Sequence, residues 1–230
     1  MHAVIPCRRG PNEELRYALR SIATHCPWVA DVSVYGEPPD WYTGRRVHVE
    51  QGPNRYDNTT RALEAVATDR ALPDVVVLWN DDFYATTPTD HSPDANLGPL
   101  AQRINPVVRR HHAGGTSHQR GAYTTLLALQ AAGHPDPLDW DVHAPMTLDR
   151  EGLTRTLAFV ADTRAGHTHK RTVYGTLAGL TGPTWEHDVK VRRRGEPWPG
   201  GPWLSTSDAT YRLLAGRLHV LLPEPSPWER

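Results

Sequence analysis

Residues 75–82 read Val-Val-Val-Leu-Trp-Asn-Asp-Asp, an apolar run that ends in two adjacent carboxylates. Three of its first four residues are β-branched, which suits a buried, pleated strand far better than an exposed helix face. A short apolar run without polar alternation is the pattern of a strand covered on both faces, and such strands belong to parallel sheets. Open parallel sheets bind ligands outside the carboxyl ends of their strands, where Asn80, Asp81 and Asp82 would sit. Two carboxylates held together there repel each other unless a cation or a donor-rich ligand meets them. Hard divalent ions such as Mg²⁺ or Mn²⁺ take one or two carboxylates together with substrate phosphates. The plain alternative is an acidic strand-to-helix turn in which an Asp merely caps, so the rest of the chain has to decide.

A chain of 230 residues is long enough for one domain with a proper core. With 25 basic and 26 acidic residues its formal net charge is −1, which excludes a basic nucleic-acid-binding surface as a global property but not a local patch. Cys7 and Cys26 make neither a disulfide framework nor a zinc spacing, as expected of reduced thiols inside a cell. No stretch approaches the ~18 apolar residues of a membrane span, and Arg8-Arg9 interrupts any signal-like N-terminus. A soluble cytoplasmic protein without a membrane partner is the expectation. Proline and glycine gather after residue 180, as in 195–203, but tryptophans are interleaved with them. That mixture predicts an ordered loop able to cover a site.

The periodicity predicts a strand at 2–6, a helix capped by Asn12 with Leu15, Leu19 and Ile22 on one face, and strands at 29–35 and 47–49. A helix capped by Asp57 or Asn58 follows, and then the acidic strand. This order implies an α/β fold with a mostly parallel sheet and crossover helices. Residues 85–120 are expected to be loops with short helices. Further helices are expected at 123–132, after Asp149, at 172–180 and from Ser205-Thr-Ser-Asp208 onward, with a candidate strand at 139–143. No domain boundary stands out, so 1–230 is taken as one domain.

Several segments resemble known enzymes. Ile5-Pro-Cys-Arg8, Glu14 to Ile22, Pro27-Trp28 and Pro39-Asp-Trp41 resemble the opening of Stealth-type capsular polysaccharide phosphotransferases. Asn80-Asp-Asp82 resembles the acidic motif of that group and the Asp-x-Asp motif of nucleotide-sugar glycosyltransferases of the GT-A fold, with Asn80 in place of the first carboxylate. His143-Ala-Pro-Met146, Arg171 to Gly175, Asp188-Val-Lys190 and Trp203 to Asp208 are similar to small glycosyltransferase-like proteins of bacteriophages. The resemblance implies a GT-A-like (Rossmann-like) fold, with 1–85 as the nucleotide-sugar-binding half and 86–230 as the acceptor-side half. It implies a glycosyltransferase using a nucleotide-sugar, a UDP- or GDP-sugar, with Mn²⁺ or Mg²⁺. It implies the host cytoplasm if the chain is phage-encoded, and an acceptor that is either DNA, through a modified base, or a glycan.

On that footing Asp82 and Asp81 are the expected metal ligands, and His143 completes the set, with His187 as its rival. Arg8 and Arg9, beyond the first strand, suit phosphate or base edges. Asn54, Asn58 and Arg61 are placed to meet base or sugar, with Asn80 beside them, although Asn58 is explained equally well as a cap. Lys190 and Arg171 suit charge on a leaving phosphate, and Asp188, two residues before Lys190, is with it a catalytic candidate. Asp208 is a candidate catalytic base or a helix-start acid. The run Lys190-Val-Arg-Arg-Arg194 would grip a nucleic-acid backbone with Trp198 or Trp203 stacking on a base, unless it is only a solvated face. Cys7 lacks a neighbouring His and is not expected to be a nucleophile. Two other outcomes stay open: sugar-1-phosphate transfer in the Stealth manner, and a binding domain without turnover. A zinc hydrolase is expected least, on the view that neither His-Glu-x-x-His nor His-x-His occurs.

Overall fold

Strand and helix alternate through the first third of the computed structural model: β1 (His2–Cys7), α1 (Glu13–His25), β2 (Asp31–Gly36), β3 (Arg45–His48), α2 (Arg55–Thr68) and β4 (Val75–Leu78). The structure describes residues 1–111, 114–163 and 167–230. The acidic run thus contributes a four-residue strand that stops short of Trp79. Then come β5 (Phe83–Ala85), α3 (Leu100–Arg103), α4 (Pro106–His111), α5 (Ser117–Ala131), β6 (Met146–Asp149), α6 (Arg150–Asp162), α7 (Lys170–Leu177), β7 (Trp203–Ser205) and α8 (Asp208–Leu221). The central sheet runs β3-β2-β1-β4-β6, with every pairing parallel except β4 with β6. This mixed α/β arrangement, mostly parallel with flanking helices, is compatible with a Rossmann-like fold. A second small sheet pairs β5 with β7 antiparallel.

The chain divides into two compact units: Met1–Pro93 with His143–Arg150 and Val189–Arg230, and Asp94–Val142 with Glu151–Asp188. No single cut at 85/86 separates them. In the first unit Ala3, Val4 and Ile5 of β1 are fully buried, as are Leu15, Ala18 and Leu19 of α1. The i, i+3, i+4 spacing of those helix residues turns one face onto the sheet. In the second unit Leu100, Ile104, Val108, Ala122 and Leu126 form the core around α5. Among the described residues no helix is long and apolar enough to cross a membrane.

Three local expectations change. Asn12 does precede α1, but in a left-handed conformation (φ 42°) and with no side-chain cap, because its amide is used elsewhere. Asn54 caps α2 by accepting from the Tyr56 amide, while Asn58 lies inside the helix and clamps Gly52 through both the N–H and the C=O of that residue. Residues 139–143 are not a strand. Asp139 accepts from the amide of Asp141 and from the Thr172 hydroxyl, a local turn that competes with a sheet ladder, and the sixth strand forms at 146–149 instead. The loops expected over 85–120 include residues 112 and 113, which lie outside the described residues.

Candidate binding cleft at the carboxyl ends of the strands

The chain runs from β1 outward through β2 to β3, then crosses back to place β4 on the other side of β1. The carboxyl ends of β1 and β4 therefore flank a topological switch point, where open α/β sheets bind ligands. A cleft of about 600 Å³ opens there. Cys7 and Arg8 line it from the end of β1, Gly36 from β2, Asn80, Asp81 and Asp82 from beyond β4, and Glu14 from the first turn of α1. Asn58, Lys190 and Asp208 also line it.

Each carboxylate in this cleft has a different internal partner. The Asn12 amide donates to Asp81 Oδ2 at 2.8 Å and to Cys7 Sγ at 3.1 Å. Arg8 forks between Glu14 Oε2 at 3.0 Å and Asp208 Oδ2 at 2.9 Å. Lys190 donates to Asp82 Oδ2 at 2.9 Å. The last contact spans 108 positions, and the small sheet explains it. β5 begins one residue after Asp82 and pairs with β7, and Ser205 of β7 exchanges backbone hydrogen bonds with Val189 and Val191 on either side of Lys190. Asp208 is presented by α8, whose start is fixed by a capping box of Ser207 and Thr210. It is both a helix-start acid and a wall of the cleft.

Electrostatically the cleft is short of positive charge. Burial, reinforced by Asp81 and Asp82, pushes the Glu14 carboxyl up to about 7 despite Arg8. Burial and the neighbouring Asp82 likewise raise Asp81, to about 6, against the Asn12 hydrogen bond. Glu14 Oε1 is buried with no hydrogen-bond partner. Asp208 differs: its hydrogen bond from Arg8 holds it below the usual carboxylate range. Burial pushes the Cys7 thiol up to about 12, which leaves it a poor nucleophile.

The cleft therefore gathers Arg8, Asn58, Asn80, Asp81, Asp82, Lys190 and Asp208 from the residues expected on sequence grounds. The remaining ones do not line it. Arg9 is exposed and meets Glu37 at 3.4 Å, Asn54 serves as the α2 cap, and Arg61 donates to the Glu50 carbonyl. Asp188 and Arg171 belong to the second unit. His143 stands edge-on to Phe83, with ring centroids 6.1 Å apart. His187 is exposed beside Glu186. Trp203 is buried against Trp79 (centroids 5.6 Å apart), so it is not available to stack on a base, and Arg217 covers one face of Trp198 at 4.1 Å. On sequence grounds Asn12 reads only as a cap, and Glu14 as part of the segment that resembles the Stealth opening. The signal for Glu14 lies in the helical period, which places it in line with buried Ala18 and Ile22.

Asp81, Asp82 and His143 are not drawn into one compact three-ligand set. Among the described residues the set that is compact comprises His118, His167 and His169 of the second unit, with one ligand atom of each within 4.8 Å of the others. His167-Thr-His169 is a His-x-His spacing, which corrects the view that the chain has none. Compared with models of known protein families and with curated proteins, the chain matches none.

Proposed function

We propose that the first unit transfers a sugar from a nucleotide-activated donor, in a metal-dependent reaction on a GT-A-like form of this sheet. One observation carries the reading: at the switch point Glu14, Asp81 and Asp82 share a cleft with Arg8 and Lys190. Oxygen donors suit a hard cation, and the raised Glu14 and Asp81 together with the orphaned Glu14 Oε1 fit a site that takes added positive charge. Asp81 and Asp82, with Glu14 beside them, would hold Mn²⁺ or Mg²⁺. Such an ion, when bound, neutralises charge on a diphosphate.

The side chains themselves supply the rest. Arg8 is fixed by Glu14 and Asp208 yet about half exposed, so its planar fork has N–H groups to offer a phosphate. Lys190 adds a second cation whose position is set by the small sheet. Asp208 is exposed and ionised, so it can accept a hydrogen bond from an acceptor hydroxyl and take its proton once that proton turns acidic as the new C–O bond forms. Its hydrogen bond from Arg8 makes it a weak base until the acceptor or donor loosens that pair. The acceptor oxygen then bonds to the anomeric carbon, and the bond from that carbon to the diphosphate breaks.

The test is turnover of UDP-, GDP- and dTDP-sugars with and without Mn²⁺, with nucleotides resolved by chromatography and glycan or DNA offered as acceptor. Metal-dependent release of a nucleoside diphosphate is expected, and Asp82→Ala should reduce it by about 10²–10³-fold or more. Release of a nucleoside monophosphate would mean sugar-phosphate transfer instead. No turnover, with no metal-dependent thermal stabilisation by any nucleotide, would overturn the proposal.

A further inference from the structure

We infer that the second unit carries a binding site for a divalent metal of the zinc class, formed by His118, His167, His169 and Asp141. His118 lies in the first turn of α5, and His167 and His169 precede α7. The His118 and His169 rings lie 4.3 Å apart by centroid, and those of His167 and His169 lie 5.3 Å apart. Asp141 Oδ2 is 3.3 Å from His169 Nδ1 and 3.8 Å from His118 Nδ1.

The tautomer of His169 is the decisive detail. Its side chain is 1% exposed, and Nε2 lies 3.0 Å from the backbone carbonyl of His118. A carbonyl can only accept, so Nε2 carries the hydrogen, and in the neutral ring Nδ1 holds a lone pair. Nδ1 is buried without a hydrogen-bond partner and faces the Asp141 carboxylate, so ring and carboxylate are set to share a cation. An imidazole N–H given to a backbone carbonyl is also the usual outer support of a metal-bound histidine.

The surroundings are shaped to keep these groups together. Gly121 lies one turn beyond His118, and a Cβ there would stand 2.3 Å from His167 Cδ2. The absent side chain is what admits the ring. Thr125, a turn further on, accepts from the His169 amide at 2.9 Å and donates to the Gly121 carbonyl at 2.8 Å. Asp139 accepts from the Asp141 amide at 3.1 Å, which fixes the start of that side chain. His118, with about half its side chain exposed, leaves a way in from solvent. A zinc–imidazole bond is about 2.0–2.1 Å, so ligand atoms on one tetrahedral ion lie roughly 3.3–3.4 Å apart. These atoms lie within 4.8 Å of one another, so the rings close in by up to about 1.4 Å on binding. Three imidazoles and one carboxylate select Zn²⁺, Co²⁺ or Ni²⁺ over Mg²⁺ or Ca²⁺.

The experiment uses the full chain without a histidine tag, stripped with chelator, offered Zn²⁺, desalted and assayed for bound metal, with Co²⁺ visible spectra alongside. One equivalent of Zn²⁺ should stay with the wild type and with Asp82→Ala, whose change lies in the other unit. His118→Ala should weaken binding at least tenfold, and His169→Ala should abolish it. Because His169 is buried, Gly121→Ala is the second probe: it keeps all four ligand side chains but pushes the His167 ring out of position, and should also weaken binding at least tenfold while circular dichroism stays unchanged. Cobalt should give the intense visible bands of a low-coordinate nitrogen site. Absence of retained zinc, equal zinc in wild type, His118→Ala and Gly121→Ala, or zinc lost only in Asp82→Ala would each overturn the inference.

Discussion

Two buried glutamates are held at opposite ends of the charge scale by the same helix. Glu229, near the C-terminus, has a fully buried side chain that takes Arg16 at 2.6 Å and Arg20 at 2.8 Å from α1, plus the Ser226 amide. Burial alone would raise its pKa, but the hydrogen bonds from Arg20, the Ser226 amide and Arg16 together hold it below the usual range. Glu14, on the first turn of the same helix, shares one arginine with Asp208 and sits near Asp81 and Asp82. Its pKa rises to about 7. The fold could have satisfied Glu14 as it satisfies Glu229, and does not. An ionised carboxylate left short of donors costs stability, so the first reads as a structural clamp and the second as a group awaiting a ligand.

The largest effect expected from breaking this contrast is at the clamp. Glu229→Ala leaves the Arg20 charge, whose side chain is only 10% exposed, with no carboxylate and only the Leu222 and Pro223 carbonyls as partners, and loosens Arg16. Removing one member of a buried ion pair typically costs about 3–5 kcal/mol. Urea titration at neutral pH should show a loss in that range, whereas a loss under about 1 kcal/mol would mean the pair is solvated and the contrast false. The pH dependence has a definite sign. A carboxyl whose folded pKa is depressed stabilises above its unfolded value, and this is lost as pH falls through the folded pKa, so Glu229 contributes to acid denaturation.

Glu14 predicts the opposite slope. Its folded pKa of about 7 exceeds the ordinary 4.5, so the native state binds the proton more tightly. That contribution is fully present below about 4.5 and is lost as pH rises through about 7. The metal-free protein should thus lose stability on the order of 3 kcal/mol across that window from this residue. Glu14→Gln, neutral throughout, should flatten the slope and make the apo protein more stable than wild type at pH 8, while lowering Mn²⁺ affinity. Thermal midpoints from pH 5 to 8 decide it, and parallel slopes for the two proteins would remove Glu14 from the cleft's electrostatics.

How much of this was legible follows from the distance over which each feature is built. The β1-α1-β2 order, the helical stripe and the acidic strand end are local patterns, and the parallel sheet with its Asn80-Asp-Asp82 terminus follows from them. The Lys190–Asp82 pair depends on two three-residue strands whose pairing carries no sequence signature. Asn12 looked like a cap because capping is the commonest use of Asn before a helix, yet its buried amide is drawn to Asp81. The histidine cluster combines residues 118, 141, 167 and 169, and only the His-x-His pair was visible in one window. Charge neutralised across the fold is what local periodicity leaves unread.

The smallest expected change in stability separates clamp from site most sharply, because it falls on the rim. Asp208 is 67% exposed and Arg8 is 53% exposed, so their 2.9 Å pair is screened and worth about 0.2–1 kcal/mol. Asp208→Asn should therefore leave the urea midpoint nearly unchanged. Under the proposed transfer it should still matter chemically, because it removes the carboxylate assigned there to take the acceptor proton, and loss of a positioned general base costs typically about 10²–10⁴-fold. Arg8, released from Asp208, would then lean on Glu14 alone and lower its pKa, flattening part of the alkaline slope. Turnover and thermal midpoint measured on this one variant, with donor binding followed separately, give the sharpest division. Slow turnover with intact donor binding and intact stability is expected; full turnover would leave Asp208 as nothing more than the first acid of α8.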